Sequence, residues 1–200
     1  TTQVELNAPV WVDRNGDITP LDIPAGRYLH PLLLPDDSQV LLSSYTPFEN
    51  IRDIWSYEFD RDVLRRITFS GNAIIPEWIP GGDRIAYRQG TEIWMTSING
   101  GSDPQRLLTT QVPTWPETVS PDGSMLVYSG IEGIRPLKLL ELGDEITTRP
   151  LIETDFNTFA SNISPNGRWI AYSSDETGRF EIFVRPFPNL EDGKWQISIT

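Results

Sequence analysis

Short apolar runs, each entered through a tight polar turn, recur at near-constant spacing along this chain. Leu34-Pro35-Asp36-Asp37 precedes Val40-Leu41-Leu42, and Ile79-Pro80-Gly81-Gly82 precedes Ile85-Ala86-Tyr87. Ser120-Pro121-Asp122-Gly123 precedes Met125-Leu126-Val127-Tyr128, and Ser164-Pro165-Asn166-Gly167 precedes Trp169-Ile170-Ala171-Tyr172. The four prolines lie 45, 41 and 44 residues apart. A further run follows each phrase: Asp53-Ile54-Trp55-Ser56-Tyr57, Glu92-Ile93-Trp94-Met95-Thr96, Pro136-Leu137-Lys138-Leu139-Leu140 and Glu181-Ile182-Phe183-Val184-Arg185. Alternation with a period of two is clearest in the first, second and fourth of these, and it predicts strands. After another polar turn, residues 64–68, 106–109, 148–152 and 195–199 complete each unit as a four-stranded antiparallel meander. Asp122-Gly123 and Asn166-Gly167 are hairpin signals, because Gly accepts positive φ and Asp or Asn tolerates the left-handed region.

A four-stranded unit of about 40–45 residues cannot bury its apolar face alone, and stacked units of this length are the signature of propeller blades. The expected fold is therefore all-β, a β-propeller of four-stranded antiparallel blades within a single domain, 1–200. Four full blades fall at 28–70, 71–110, 111–155 and 156–200. Most of a fifth lies in 1–27, where Pro9-Val10-Trp11-Val12-Asp13-Arg14-Asn15-Gly16-Asp17-Ile18-Thr19-Pro20-Leu21 reads as a third strand, a turn and a fourth strand. Residues 3–6 would supply its second strand. The fifth unit lacks its first strand, and the chain opens on Thr1 rather than Met. The missing strand predicts an excerpt of a longer propeller of six blades, with open blade edges available for self-association, and the Thr1 start predicts a processed product or a piece of a longer polypeptide.

A net charge of −12 argues against nucleic acid and anionic membrane partners, which would be repelled at long range. With no Cys, disulfides and thiolate metal sites are excluded. No apolar run of membrane-spanning length occurs, so direct membrane insertion is not expected. Trp55, Trp78, Trp94 and Tyr87 recur on strand interiors and are expected to pack in the core rather than to stack on bases.

The phrases Pro76-Glu77-Trp78-Ile79-Pro80-Gly81, Ser120-Pro121-Asp122-Gly123, Glu92-Ile93-Trp94 and Arg106-Leu107-Leu108-Thr109 resemble the TolB-type, WD-like propeller repeat over nearly the whole chain. Val10-Trp11-Val12-Asp13-Arg14-Asn15-Gly16, the stretch 174–188 and Gly193-Lys194-Trp195-Gln196-Ile197-Ser198 are more narrowly similar to the propeller that follows the kinase domain in some bacterial Ser/Thr protein kinases. The resemblance implies a six-bladed ring for protein or ligand recognition, in a periplasmic or other extracytoplasmic setting and without catalysis in the propeller. Kinase motifs are absent from the sequence: it has no Gly-rich phosphate loop, no His-Arg-Asp and no Asp-Phe-Gly. Asp36-Asp37, Gly81-Gly82 and Asn166 depart from the Asp-Gly pivot in ways a turn accommodates.

Candidate chemistry is sparse. His30 is the sole histidine, and no Gly-x-Ser-x-Gly elbow accompanies it, so no catalytic residue is assigned. Asp13, Asn15 and Asp17 alternate oxygen ligands like the opening of a calcium loop, but Asn15-Gly16 is a hairpin signal and the later Glu is absent; no metal and no cofactor are expected. The carboxylate pairs Asp175 with Glu181 and Glu141 with Asp144 carry no sign of burial. Recognition is expected on the longer, less alike loops at 22–29, 45–52, 129–135 and 173–179. Within these, Tyr45, Phe48, Arg52, Arg135 and Arg179 are the candidate binding residues, facing a protein or peptide partner. The competing role for them is loop anchoring by Tyr45 and Phe48, with the arginines paired to local carboxylates. The leading function is a non-catalytic recognition scaffold. The alternatives are an accessory propeller of a receptor-like Ser/Thr kinase or prolyl-oligopeptidase-like peptidase, and a carbohydrate-binding propeller.

Overall fold

The computed structural model describes residues 6–46, 50–130, 133 and 135–199, and among these all regular structure is strand except one short 3₁₀ turn. Two compact units divide the chain, residues 1–76 and residues 77–200.

In the first unit, β1 (Val10–Val12) and β2 (Ile18–Pro20) form a two-stranded antiparallel hairpin. They are the third strand, turn and fourth strand expected of the leading unit; of the second strand expected at 3–6, residues 3–5 lie outside the described residues. A four-stranded meander follows: β3 (Tyr28–Leu33), β4 (Gln39–Thr46), β5 (Ile51–Glu58) and β6 (Val63–Arg66). Val40 and Leu42 of β4 share a core cluster with Ile23 and Tyr57, against which Tyr28 and Phe59 pack.

The second unit begins inside β7 (Ala73–Ile79) and holds three meanders. They are β7 with β8 (Arg84–Gln89), β9 (Glu92–Ser97) and β10 (Gln105–Thr109); β11 (Thr114–Val119) to β14 (Ile146–Ile152) through β12 (Met125–Gly130) and β13 (Leu137–Leu142); and β15 (Thr158–Ile163), β16 (Trp169–Ser174), β17 (Glu181–Pro186) and β18 (Trp195–Gln196). The 3₁₀ turn Leu190–Asp192 precedes β18. That last strand is shorter than the expected 195–199, and beyond it the Ile197 N–H donates to the Ile182 carbonyl and Ser198 Oγ accepts from the Ile182 N–H.

Why the apolar runs are continuous rather than alternating is visible in β12. Leu126 and Tyr128 join a cluster with Ile79, Ala86 and Ile93 of the preceding meander, whereas Val127 joins one with Ile163, Ile170 and Tyr172 of the following meander. Successive side chains of a strand leave opposite faces, and here both faces are buried. The apolar residues on both faces of this meander are thus covered by its neighbours, as the repeat length requires.

The pivots are built by side chains. Asp122 Oδ1 accepts from the Ser120 hydroxyl at 2.6 Å, the Ser124 hydroxyl at 2.7 Å and the Ser124 N–H at 3.0 Å. Those donors, led by Ser120, hold its carboxyl below the usual carboxylate range. Asn166 Oδ1 repeats the pattern with the Ser164 hydroxyl and the Arg168 N–H. Gly123 sits at φ +73°, and a Cβ there would lie 2.6 Å from the Pro80 carbonyl oxygen, whereas at Gly167, φ +69°, the nearest atom would be 3.6 Å away. Both glycine-to-alanine changes carry a left-handed penalty of about 1–2 kcal/mol. Gly123→Ala adds a backbone clash, so urea denaturation is expected to show it costing clearly more than Gly167→Ala.

Each first strand also carries an irregularity five residues before its pivot proline. Ladder registers shift between Leu29 and Leu32, Pro116 and Thr118, and Phe159 and Asn162. His30, Ile75 and Ala160 adopt φ of 51°, 58° and 53° at this position. Such bulges re-aim side chains and free a backbone N–H from the ladder. The freed N–H groups find partners: Ile75 donates to Ser43 Oγ at 3.1 Å, and Ser161 donates to Glu117 Oε2 at 2.6 Å.

Candidate functional site

The bulges open cavities beside the first strands. In the second unit a cavity of about 350 Å³ is lined by Glu77 of β7, Trp115 and Glu117 of β11, Ser129 of β12, Arg135, and Phe159 and Ala160 of β15. Glu117 is fixed at both oxygens, by the Ser129 hydroxyl at 2.5 Å and the Ser161 N–H at 2.6 Å. Desolvation raises its pKa, and these two hydrogen bonds oppose the rise. Glu77 is pushed up to about 8, first by desolvation and then by the charge of Glu117. Both side chains are half-buried: part of each meets the cavity, but the protein packed around the carboxyls withdraws water from them. Protonated at neutral pH, Glu77 is a hydrogen-bond donor inside the cavity.

The rim is aromatic and cationic. Trp115 is 38% exposed, and the Arg88 guanidinium lies 5.8 Å from its ring centroid. Phe159 packs edge-to-face on Phe180 at 5.1 Å and lies 5.9 Å from the Arg135 guanidinium. The Arg135 carbonyl accepts from the Thr158 N–H at 2.9 Å and its hydroxyl at 2.6 Å, which fixes the base of that arginine against β15. Flat apolar walls, a neutral acid, an anchored carboxyl and a guanidinium suit the enclosure of one amphipathic group, such as a side chain of a polypeptide.

The first unit has a cavity of about 230 Å³ lined by Arg27, Leu29, His30, Ser43, Ser44, Tyr45, Arg52 and Ile74. Measured from the pivot prolines, Leu29 corresponds to Trp115, His30 to Pro116, Ser43 to Ser129 and Ile74 to Phe159, so the same pocket recurs with different chemistry. Tyr45 and Arg52 are direct register partners of β4 and β5. Guanidinium carbons of Arg27 and Arg52 lie 4.9 and 5.1 Å from the Tyr45 ring centroid.

Of the residues expected to bind, the structure thus brings Tyr45 and Arg52 to one cavity and Arg135 to the other. Phe48 lies outside the described residues. Arg179 pairs with Glu181, Nε to Oε1, at 2.7 Å. The absence of any sign of burial at Glu181 needs correction: it is 1% exposed, held by Arg179 and by the Ser198 hydroxyl at 2.5 Å. The tryptophans also need qualification. Tyr87 is buried, but Trp55, Trp78 and Trp94 are half-buried, and the Trp94 indole N–H donates to Glu92 at 2.9 Å. Asp13 Oδ1 accepts from the Asn15 and Asp17 N–H groups at 2.8 and 2.9 Å, which makes it a turn former. Among the described residues no group of three or more His, Asp or Glu side chains is placed to hold a metal ion. Glu77, Trp115, Glu117, Phe159 and Arg27 were not foreseen as site residues.

No family model matches the chain. An uncharacterized protein of Agrobacterium fabrum is 29% identical over 102 residues, which are 50% of this chain and 33% of that protein, so the matched stretch spans a third of the relative's length. Among solved structures, a TolB from Acinetobacter baumannii superposes with a TM-score of 0.80 at 16% identity, over 96% of this chain and 48% of its own. A protein assigned as TolB from Agrobacterium tumefaciens gives 0.77 at 13% identity, over 90% and 69%. A structure from a study of two prolyl endopeptidases gives 0.66 at 13%, over 92% and 31%. At these identities the likeness speaks for the fold: the chain has the TolB-like β-propeller architecture of four-stranded antiparallel blades.

Proposed function

We propose that the chain is a non-catalytic recognition domain of a larger, extracytoplasmic protein, and that it binds a protein or peptide partner by taking one of its side chains into the Trp115–Phe159 cavity. The observation that carries this reading is the cavity itself. Two aromatic side chains stand at its rim, and two half-buried carboxyls on neighbouring first strands line it. Large rigid aromatics beside a pocket are where binding energy concentrates in polypeptide recognition. Peptides selected from a random library on the immobilised protein should lose at least about tenfold in affinity on Trp115→Ala and on Phe159→Ala. Val63→Ala, an exposed strand-end change in the other unit, should leave them unaffected. Selected peptides indifferent to both aromatic changes would place recognition elsewhere.

A second reading, an accessory propeller of a peptidase or receptor-like kinase, is supported by the fold shared with the prolyl endopeptidase structure. For the kinase, support comes from the strand phrases at 10–16 and 174–188. Sequencing the complete reading frame distinguishes the two readings: a downstream nucleophile elbow or an upstream kinase domain and membrane span selects the second.

A further inference from the structure

We propose that the first unit's cavity is a carboxylate-binding site in which Arg27 and Arg52 hold the anion beside the Tyr45 ring. Both guanidinium groups approach one ring, at 4.9 and 5.1 Å from its centroid, and all three residues line the same cavity of about 230 Å³. Their backbones are fixed. The Tyr45 N–H donates to the Arg27 carbonyl at 2.9 Å, the Arg52 N–H donates to the Gly71 carbonyl at 2.9 Å, and Tyr45 faces Arg52 across β4 and β5.

The decisive contrast is with the other arginines of the same unit. Arg61 and Arg65 both reach Glu58, and Arg66 reaches Asp53 at 2.6 Å. Arg27 and Arg52 form no ion pair and no side-chain hydrogen bond with any described residue. The chain has 28 acidic side chains and a net charge of −12, yet among the described residues no carboxylate pairs with either of these two cations. An anion entering the cavity would meet two guanidinium groups on its wall and accept directed, charge-assisted N–H bonds from them. The planar guanidinium fork matches a carboxylate in two-point contact. A multiply charged phosphate is disfavoured by the negative field of the whole chain. Source and class are both open to measurement, since a terminal and a side-chain carboxylate present the same group. None of this draws on the second unit's cavity, so loss of the Trp115 reading leaves it standing.

The test is a titration of the 200-residue chain at constant ionic strength, following the arginine Nε–Hε resonances by NMR. N-acetyl-dialanine supplies a terminal carboxylate, N-acetylglutamate N-methylamide a side-chain carboxylate, N-acetyl-dialanine amide a neutral control, and inorganic phosphate the competing class. Expected is saturable movement of the Arg27 and Arg52 signals with at least one carboxylate, the tighter of the two identifying the source. Arg27→Gln and Arg52→Gln should each weaken it by about tenfold. No saturation with either carboxylate, or an equal response to the amide or to phosphate, overturns the assignment. The titration of the unaltered protein decides this even where a variant folds poorly.

Discussion

Glu77→Gln is expected to raise the unfolding temperature by roughly 5–10 °C at pH 9 and by no more than about 3 °C at pH 5. The folded-state pKa of Glu77 stands at about 8, against 4.5 for an ordinary glutamate. Between these values the folded protein holds a proton that the unfolded chain has released, so stability falls as pH rises from 4.5 to about 8. Above 8 the folded state bears a buried charge, at a cost on the order of 2–4 kcal/mol once the side chain's partial contact with the cavity is discounted. Glutamine keeps the shape and never ionises. At pH 5 it replaces a carboxylic acid that is neutral in the folded state and only part-way through the window of falling stability, so the two proteins should melt nearly together. Glu117, raised in the same direction, gives a residual slope of the same sign in the variant. Thermal melts by circular dichroism between pH 5 and pH 9 measure both effects; parallel curves for the two proteins would show that Glu77 ionises normally.

The strands were legible because their signals are local. A pivot turn, a period of two and a hairpin pair are written within a few consecutive residues, and each expected strand from the first pivot onward is present. Where an expectation was too long, at β18, the ladder depends on a neighbour strand rather than on the segment's own pattern. The cavities were legible only in part, for the opposite reason. Whether Glu117 is hydrated depends on Ser161, 44 residues away, and Arg27 reaches the Tyr45 ring through strand pairing. One signal of the second cavity does stand in the sequence. Aligned on the pivots, Glu77 stands where other units carry Leu32, Thr118 and Asn162, and Glu117 where they carry Pro31, Pro76 and Ser161. An acid at a first-strand position that is uncharged in every other copy is chemistry superimposed on the repeat.

That comparison also explains how one architecture yields unlike pockets. The backbone requirement is constant: a bulge must be accommodated, and its freed N–H must be paired. In the first unit Ser43 meets the requirement directly, by accepting from Ile75. In the second, Ser129 instead donates to Glu117, and the carboxylate accepts from Ser161. Inserting an acid between serine and backbone preserves the fold while placing a titratable group in the cavity wall. The scaffold's hydrogen-bond demand is met either way, so the pocket chemistry is free to differ between units.

Asp53→Ala should destabilise the protein by about 3–5 kcal/mol, the cost of stranding one partner of a buried ion pair. Asp53 is 2% exposed. Its Oδ2 accepts from Arg66 at 2.6 Å, and its Oδ1 accepts from the Thr68 hydroxyl at 2.7 Å and the Gly71 N–H at 3.3 Å. Thr68 Oγ1 in turn accepts from the Ile54 N–H at 2.9 Å, so one carboxylate joins β5, the end of β6 and the connection to β7. Alanine leaves the Arg66 charge without its counter-ion and two donors without acceptors. Asp53→Asn retains an oxygen for Thr68 and Gly71 and should cost less, about 1–2 kcal/mol. Urea denaturation followed by tryptophan emission measures the order, and an alanine variant within about 0.5 kcal/mol of the unaltered protein would mean that solvent already screens the pair. Because the Gly71 carbonyl accepts the Arg52 N–H, the network also sets the backbone beneath the arginine cavity. Asp53→Ala should therefore weaken carboxylate binding even under conditions where the variant is fully folded, whereas Asp53→Asn, which still holds Gly71, should bind nearly as the unaltered protein does.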